Sequence, residues 1–255
     1  MRIIISPAKQ MREDTDTFAC AGVPVFLERT QQLMDWMKGL SYAEQKALWA
    51  CNDKIAQQNA ERLARMELRR RLTPAILAYD GIQYTYMAPG VFEAKQFDYV
   101  QEHVRILSGF YGVVKPMDGV VPYRLEMRAK IGLDGHKNLY SFWGDALFRE
   151  VMDKDRVLVN LASKEYSRCV EKYLQPGDRF VTCVFGELAG EKVVQKGVWA
   201  KMARGEMVRF LAEQQAKEPE QMQGFRWGGY GFDEERSSEE QYVFLRTEPE
   251  KEQQV

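Results

Sequence analysis

Four polar segments of this chain each lie next to a strongly apolar or aromatic run. The clearest are residues 6–9 (SPAK), which follow RIII, and residues 160–166 (NLASKEY), which follow RVLV; the others are 123–127 (YRLEM) and 201–205 (KMARG). A buried strand that ends abruptly in Ser, Lys, Arg and Glu is how a rigid scaffold presents chemical groups at strand ends. Because the four segments are rich in Lys and Arg and contain few carboxylates, they predict one shared site that binds an anion.

Short apolar runs and amphipathic spacing predict a chain of mixed strands and helices. The predicted strands are 2–6, 76–82, 157–162, 179–188 and 242–247, with 192–201 completing a hairpin. The predicted helices are 25–39, 41–54, 53–70, 97–108, 145–153, 164–173 and 205–216. No repeat or linker divides the chain. We therefore expect a single α/β domain over residues 1–245, with a mixed sheet wrapped by helices, and a disordered acidic tail at 246–255.

The charge balance limits the classes of partner. The net charge is −1, from 36 basic and 37 acidic residues. A nucleic-acid binder that is basic over its whole surface is excluded, since its attraction to phosphate needs a net positive field. A local basic cleft remains open. The basic segment 62–71 (RLARMELRRR) has its apolar residues at helical spacing, which favours a solvated helix face.

Composition also bears on compartment and cofactors. No apolar stretch reaches 18 residues, so we expect no membrane span, and the apolar core of the N-terminus is too short for a signal peptide. We therefore expect a cytoplasmic protein. Its four cysteines are far apart without a CxxC pair and are expected to be free thiols, and with two histidines they form no recognisable ligand set. No metal and no cofactor is predicted.

The segment 201–205 is the strongest candidate for the anion site. Lys201 and Arg204 are three residues apart and would be neighbours on one helical turn, while Gly205 permits a close backbone approach. In the segment 123–127, Arg124 and Glu126 would share one face if the chain is extended. Arg124 would then clamp a phosphate or carboxylate while Glu126 orients the ligand or acts as a base; the alternative is a buried structural ion pair.

The remaining candidates follow the two strand ends. Ser6 and Lys9 would offer a hydroxyl, backbone amides and an ammonium to a phosphate, although Pro7 removes one N–H donor. Ser163 favours a helix N-cap over a nucleophile, and with Lys164 it is counted among the anion-binding candidates. Three carboxylates are candidates for acid–base catalysis: Glu126, Asp145 and Glu165.

Six blocks of sequence, in order from residue 5 to about residue 244, resemble the YaaA family. They are ISPAK, LSGFYGVVKPMDGVVPYRLEM, LYSFWGD, NLASKEY, KMARG and GFRWGGYGFDEE. The resemblance implies a mixed sheet wrapped by helices and a role in resistance to hydrogen peroxide, with lowering of free intracellular iron. It also implies DNA binding through a cleft and a helix-hairpin-helix element.

The helix-hairpin-helix element has one candidate segment, residues 107–112 (LSGFYG). Such an element needs a Gly-containing turn between two helices, whose backbone N–H groups reach a phosphate. Gly109 and Gly112 are three residues apart, whereas the usual motif spaces its glycines by two. The alternative is a helix C-cap at Gly109 followed by Phe110 packed in the core.

Two hypotheses of function remain. In the first, the protein is a cytoplasmic peroxide stress protein that binds duplex or distorted DNA without sequence preference, through phosphate contacts in a local basic cleft. In the second, it is an enzyme that cleaves or transfers at the glycosidic bond of a nucleotide or nucleobase, with the carboxylates as acid–base groups. Direct iron binding has little support, because the chain offers no recognisable set of iron ligands.

Overall fold

The structure, a computed structural model, describes residues 1–247. Its helices are α1 (Leu27–Lys38), α2 (Tyr42–Trp49), α3 (Asp53–Arg65), α4 (Ala75–Ala78), α5 (Ile82–Met87), α6 (Ala94–His103), α7 (Leu139–Trp143), α8 (Ala146–Val151), α9 (Lys164–Glu171) and α10 (Gly197–Gln214), with 3₁₀ turns at Pro89–Val91 and Pro219–Gly224. Its strands are β1 (Arg2–Ile5), β2 (Gln10–Met11), β3 (Thr73–Pro74), β4 (Tyr79–Asp80), β5 (Val104–Ser108), β6 (Gly112–Val114), β7 (Gly119–Val120), β8 (Val157–Asn160), β9 (Arg179–Ala189), β10 (Lys192–Val194), β11 (Arg226–Trp227), β12 (Tyr230–Asp233) and β13 (Gln241–Arg246).

One mixed sheet organises the molecule. Five parallel strands form its centre, in the order β13-β9-β8-β1-β5. Antiparallel strands extend it on both sides, with β6 beside β5, and β12 then β11 beside β13, while β10 pairs with β9. The short strands form two separate pairs, β2 with β4 and β3 with β7. The predicted fold class, a mixed sheet wrapped by helices, is confirmed.

The position of β1 decides where the site forms. Ile3, Ile4 and Ile5 have no exposed surface, as expected of a parallel strand that is covered on both faces. β1 pairs in parallel with β5 on one side and with β8 on the other. After β1 the chain forms β5 on one side of it and later β8 on the other side. The end of β1 is therefore a topological switch point, the place at which open α/β sheets bind ligands.

The helix that carries Lys201 and Arg204 is longer than predicted. α10 begins at Gly197 rather than at residue 205, and the predicted hairpin strand at 192–201 is limited to Lys192–Val194. Gly205 lies inside this helix and faces α5 at very short range. A Cβ atom here would overlap the Gln83 carbonyl oxygen and lie 2.9 Å from the Met87 amide nitrogen. Glycine is therefore required by helix packing rather than acting as a breaker.

The prediction of one helix over 97–108 is wrong. α6 ends at His103, and residues 104–108 form β5, which pairs with β1 and β6. Because this segment is buried at every position, its apolar spacing fits a strand as well as a helix. The candidate helix-hairpin-helix segment 107–112 accordingly joins two strands. The predicted strand at 76–82 is also wrong, since α4 covers residues 76–78, α5 begins at Ile82 and only Tyr79–Asp80 is extended.

Two further expectations concern the C-terminal tail and the absence of a membrane span. Arg246, the first residue of the predicted tail, is the last residue of β13, and residues 248–255 of that tail lie outside the described part of the chain. Within residues 1–247, no helix has the length and apolar content needed to cross a membrane.

Candidate functional site

A pocket of about 390 Å³ opens beyond the carboxyl ends of β1 and β8. Two serines enter it because their strands are adjacent and parallel: Ser6 follows β1, and Ser163 lies three residues after β8. The pocket brings together eight of the predicted site residues, namely Ser6, Lys9, Arg124, Glu126, Ser163, Glu165, Lys201 and Arg204. The four polar segments therefore meet at one place.

One side of the pocket is a carboxylate surrounded by cations. Glu126 lies 3.0 Å from the Lys9 ammonium and 3.4 Å from the guanidinium groups of both Arg124 and Arg128. The side chains of Arg124 and Glu126 are only 11% and 16% exposed, so this cluster is screened by solvent less than a surface pair would be. The positive charges of Lys9 and Arg124 are therefore partly neutralised before any ligand enters.

A second part of the lining, on α10, carries two cations. Among residues 1–247, neither Lys201 nor Arg204 forms an ion pair with an acidic side chain. Arg204 Nη2 donates one long hydrogen bond of 3.4 Å to Gln195, and its Nε is buried with no partner. Burial lowers the pKa of Arg204 because the charged form loses hydration without gaining a counter-ion. Lys201 is exposed at the mouth of the pocket.

The two serines form a bridge between β1 and the start of α9. The Ser163 amide donates to Ser6 Oγ at 2.8 Å, and the Ser6 hydroxyl donates to Ser163 Oγ at 3.3 Å. Ser163 occupies the N-cap position that its sequence context favours, but its side chain makes no capping hydrogen bond. Glu165 lies on the first turn of α9 and accepts from the Arg128 amide at 3.2 Å.

Three tyrosines that were not predicted as site residues also line the pocket. Tyr84 donates to the Ser6 carbonyl at 2.9 Å, and the Tyr123 hydroxyl is bonded to Tyr79 at 2.9 Å and to Ser108 at 2.6 Å. Tyr166 is buried beside them. Burial raises the pKa of Tyr123 to about 12, so its hydroxyl is neutral at physiological pH. Tyr123 and Tyr166 belong to the polar segments 123–127 and 160–166, so their position in the sequence could have marked them as site residues.

Gln83 also lines the pocket and was not predicted. Its side chain is 7% exposed, and Nε2 is buried without a hydrogen-bond partner within residues 1–247. A buried amide donor without a partner costs about 1–3 kcal/mol relative to a satisfied one. No sequence pattern marks this residue, since Gln83 occupies an ordinary position in a short helix.

Two predicted glycines lie away from the pocket and have packing roles. A Cβ on Gly109 would lie 2.5 Å from the Leu125 carbonyl oxygen, so glycine lets the 123–127 segment pass close to the β5–β6 turn. Ser108 Oγ accepts from the Phe110 and Tyr111 amides at 3.2 and 2.9 Å, so these two amides are not free to bind a phosphate. Gly112, at positive φ, packs against side chains of the core. The structure gives both glycines a packing role, and phosphate binding by this turn stays a prediction.

Asp145 and Lys164 are the other predicted residues outside the pocket lining. Asp145 pairs with Arg149 one helical turn away, at the start of α8. Lys164 begins α9, and its side chain is exposed beside the mouth of the pocket rather than inside it. Of the three candidate catalytic carboxylates, only Glu126 and Glu165 share the site.

The fold and site define an α/β protein with a cation-lined pocket at the switch point of a mixed sheet. The chain belongs to the family described as Peroxide stress protein YaaA, whose profile matches residues 1–236. It is 56% identical to a UPF0246 protein of Agathobacter rectalis over 246 residues, which cover 96% of this chain and 99% of the relative. It is also 52% identical to a UPF0246 protein of Lachnoclostridium phytofermentans over 248 residues, covering 97% of each chain. The family resemblance drawn from the six sequence blocks is confirmed.

Proposed function

We propose that this peroxide stress protein binds DNA through the cations of the pocket. The observation that carries the proposal is the presence of two cations without carboxylate partners, Lys201 and Arg204, in the same concavity as Lys9 and Arg124. Two like charges on one helical turn repel each other unless an anion lies between them. A phosphate of the DNA backbone would supply that anion.

The exposed lysines around the pocket extend this surface. Lys9 keeps 60% of its side chain exposed, and Lys164 and Lys201 are exposed as well. Such side chains contact phosphates along a backbone without reading bases, which fits binding without sequence preference. Because the whole chain carries a charge of −1, attraction to DNA must come from this local group of cations.

The test is DNA affinity measured by fluorescence anisotropy over a salt series, with duplex, bulged and single-stranded oligonucleotides. Each phosphate contact contributes about 0.9 to the slope of log affinity against log salt. Replacing Lys201 and Arg204 together by Ala is therefore expected to flatten the slope by about 2. The matched control is Arg209→Ala, which removes a cation of the same helix that pairs with Glu213 away from the pocket. Affinity without salt dependence, or an unchanged slope in the double variant, contradicts the proposal.

A second candidate function is an enzyme acting at the glycosidic bond of a nucleotide or nucleobase. Its specific support is that Glu126 and Glu165 line one pocket, since hydrolysis of glycosidic bonds commonly uses a pair of carboxylates. Glu126, which ion pairs with Lys9, Arg124 and Arg128 hold in place, would stabilise positive charge developing on the sugar.

The enzyme hypothesis is tested by following a panel of nucleosides and nucleotides for release of free base by chromatography. Turnover in the wild-type protein that falls at least about a hundredfold in both Glu126→Gln and Glu165→Gln supports it. Absence of turnover, with DNA affinity retained in both variants, leaves DNA binding as the function.

A further inference from the structure

We propose that the pocket is a site for one phosphorylated nucleoside, with the phosphate held between the N-terminus of α9 and Arg204. This inference rests on the proposed function, because both place a phosphate in the same pocket. It goes further in assigning the ligand that enters the pocket and the direction in which it lies.

The first observation is a pair of unused hydrogen-bond donors. Arg204 Nε and Gln83 Nε2 are both buried without partners, and both residues line the pocket. Of the six buried side-chain polar atoms that lack hydrogen-bond partners within residues 1–247, these two line one pocket, where a single ligand could satisfy both. Their chemistry specifies the ligand atom, since a guanidinium and an amide N–H both require an acceptor, and the guanidinium favours an anionic oxygen.

The second observation is the start of α9. The amides of Lys164 and Glu165 donate no hydrogen bond to any residue within 1–247, and the eight-residue helix directs its positive dipole end towards the pocket. The Ser163 amide is already used by Ser6, whose hydroxyl proton points to Ser163 Oγ. The Ser163 hydroxyl proton is therefore available to a third acceptor. Together these groups suit a phosphate oxygen.

Direct packing connects the two groups of donors. α5 lies between them: its Tyr84 donates to the Ser6 carbonyl, and Gly81 at its N-cap approaches the Ala8 side chain, with a Cβ position only 3.0 Å away. On its other side α5 meets α10, where Gly205 permits backbone contact with Gln83. The donors are thus fixed to one rigid helix pair and one strand end, which reduces the entropy lost on binding.

The size and remaining lining of the pocket define the rest of the ligand. A sphere of 390 Å³ would be about 9 Å across, narrower than the roughly 12 Å major groove of duplex DNA alone. A duplex can therefore present only its backbone to the cations at the pocket mouth, whereas a single nucleotide can enter. Tyr84, Tyr123 and Tyr166 give the interior an aromatic lining, and aromatic side chains accept bases by stacking regardless of base identity.

The first experiment is isothermal titration calorimetry with deoxyadenosine 5′-monophosphate and with deoxyadenosine. We expect the monophosphate to bind at least tenfold more tightly than the nucleoside, and this preference to disappear in Arg204→Gln. Arg209→Gln, on an outward position of the same helix, should keep the preference. Lys201→Ala should reduce the preference for the monophosphate severalfold. Because Lys201 is exposed, this variant keeps its core and tests the site even if the Arg204 variant does not fold.

The second experiment separates a free nucleotide from a nucleotide that belongs to a strand. Anisotropy compares a fully paired duplex with one carrying a single unpaired nucleotide and one carrying an unpaired abasic residue. We expect at least tenfold tighter binding to the duplex with an unpaired nucleotide, and we expect this preference to be lost in Arg204→Gln and with the abasic duplex. That result supports a nucleotide site whose ligand is part of a DNA strand. Monophosphate binding without any DNA affinity supports the site but overturns the proposed function. Salt-dependent DNA binding with neither preference overturns the inference and leaves the proposed function intact.

Discussion

Replacing Arg204 by Met should stabilise the free protein while weakening its binding to phosphate. Arg204 is half-buried as a residue, but its Nε is buried and has no partner within residues 1–247, and its Nη2 makes one hydrogen bond of 3.4 Å. Leaving such a group unsatisfied costs about 1–3 kcal/mol, and Met retains most of the apolar stem that packs in the helix interface. We therefore expect Arg204→Met to raise the free energy of unfolding by about 1–2 kcal/mol.

The assay is differential scanning calorimetry in a buffer without phosphate or sulfate. For a domain of this size, about 1–2 kcal/mol corresponds to a rise in Tm of roughly 2–8 °C. Arg209→Met is the control, because its exposed ion pair with Glu213 should change Tm little. Saturating ligand should reverse the order, since a ligand at 100 times its Kd adds about 2.7 kcal/mol to the wild-type protein alone. A lower Tm for Arg204→Met without ligand would show that the guanidinium is already satisfied, and would refute the argument.

Three further predictions test the packing, the electrostatics and the thiols. Gly109→Ala should lower Tm and DNA affinity together, because its Cβ meets the Leu125 carbonyl oxygen at 2.5 Å and must displace the 123–127 segment; unchanged anisotropy and Tm would contradict this. Hydrogen bonds from two cations lower the pKa of Glu187 below its ordinary value of 4.5, so the stability that it contributes is present above pH 4.5 and is lost as the pH falls through the lowered value. The urea midpoint of Glu187→Gln should therefore be below that of wild type at pH 7, and the difference should shrink as the pH falls below 4.5. Burial raises the pKa of Cys169 and Cys183 to about 12, so mass spectrometry should find both thiols unmodified by iodoacetamide at pH 8 in the native protein and modified after denaturation.

The convergence of the polar segments follows from features that the sequence contains. The runs RIII and VLVN are apolar at successive positions, which is typical of strands buried on both faces of a parallel sheet. Parallel strands end at the same edge, so the residues after β1 and β8 must be close if the two strands are neighbours. The sequence does not reveal that neighbour relation, because a strand order is a property of the whole chain. The contact between Ser6 and Ser163 therefore depends on a strand order that the sequence alone does not supply.

The errors around β5 and α10 have a common physical origin. Residues 104–108 are buried on all sides, and full burial removes the periodicity that distinguishes a strand from a helix. Gly205 suggests a helix boundary by its intrinsic propensity, yet it lies inside α10 because α5 leaves no room for a Cβ atom. In both places a contact between distant segments overrides the local preference. Gln83 could not be found for the same reason, since its lack of a partner exists only after α5 and α10 have packed together.

The pocket divides its cations into two groups with different consequences for binding. A phosphate that approaches Lys9 or Arg124 must compete with Glu126, which already lies within 3.4 Å of both. A phosphate that approaches Lys201 or Arg204 meets no such competitor, and it also restores a counter-ion to a desolvated guanidinium. A phosphate that draws Lys9 or Arg124 away from Glu126 leaves the Glu126 carboxylate without its partner, which costs desolvation free energy. A phosphate that binds Arg204 supplies a missing partner and so removes such a cost. The favourable free energy of phosphate binding should therefore arise mainly on the α10 side, while the Glu126 side holds its cations in fixed positions.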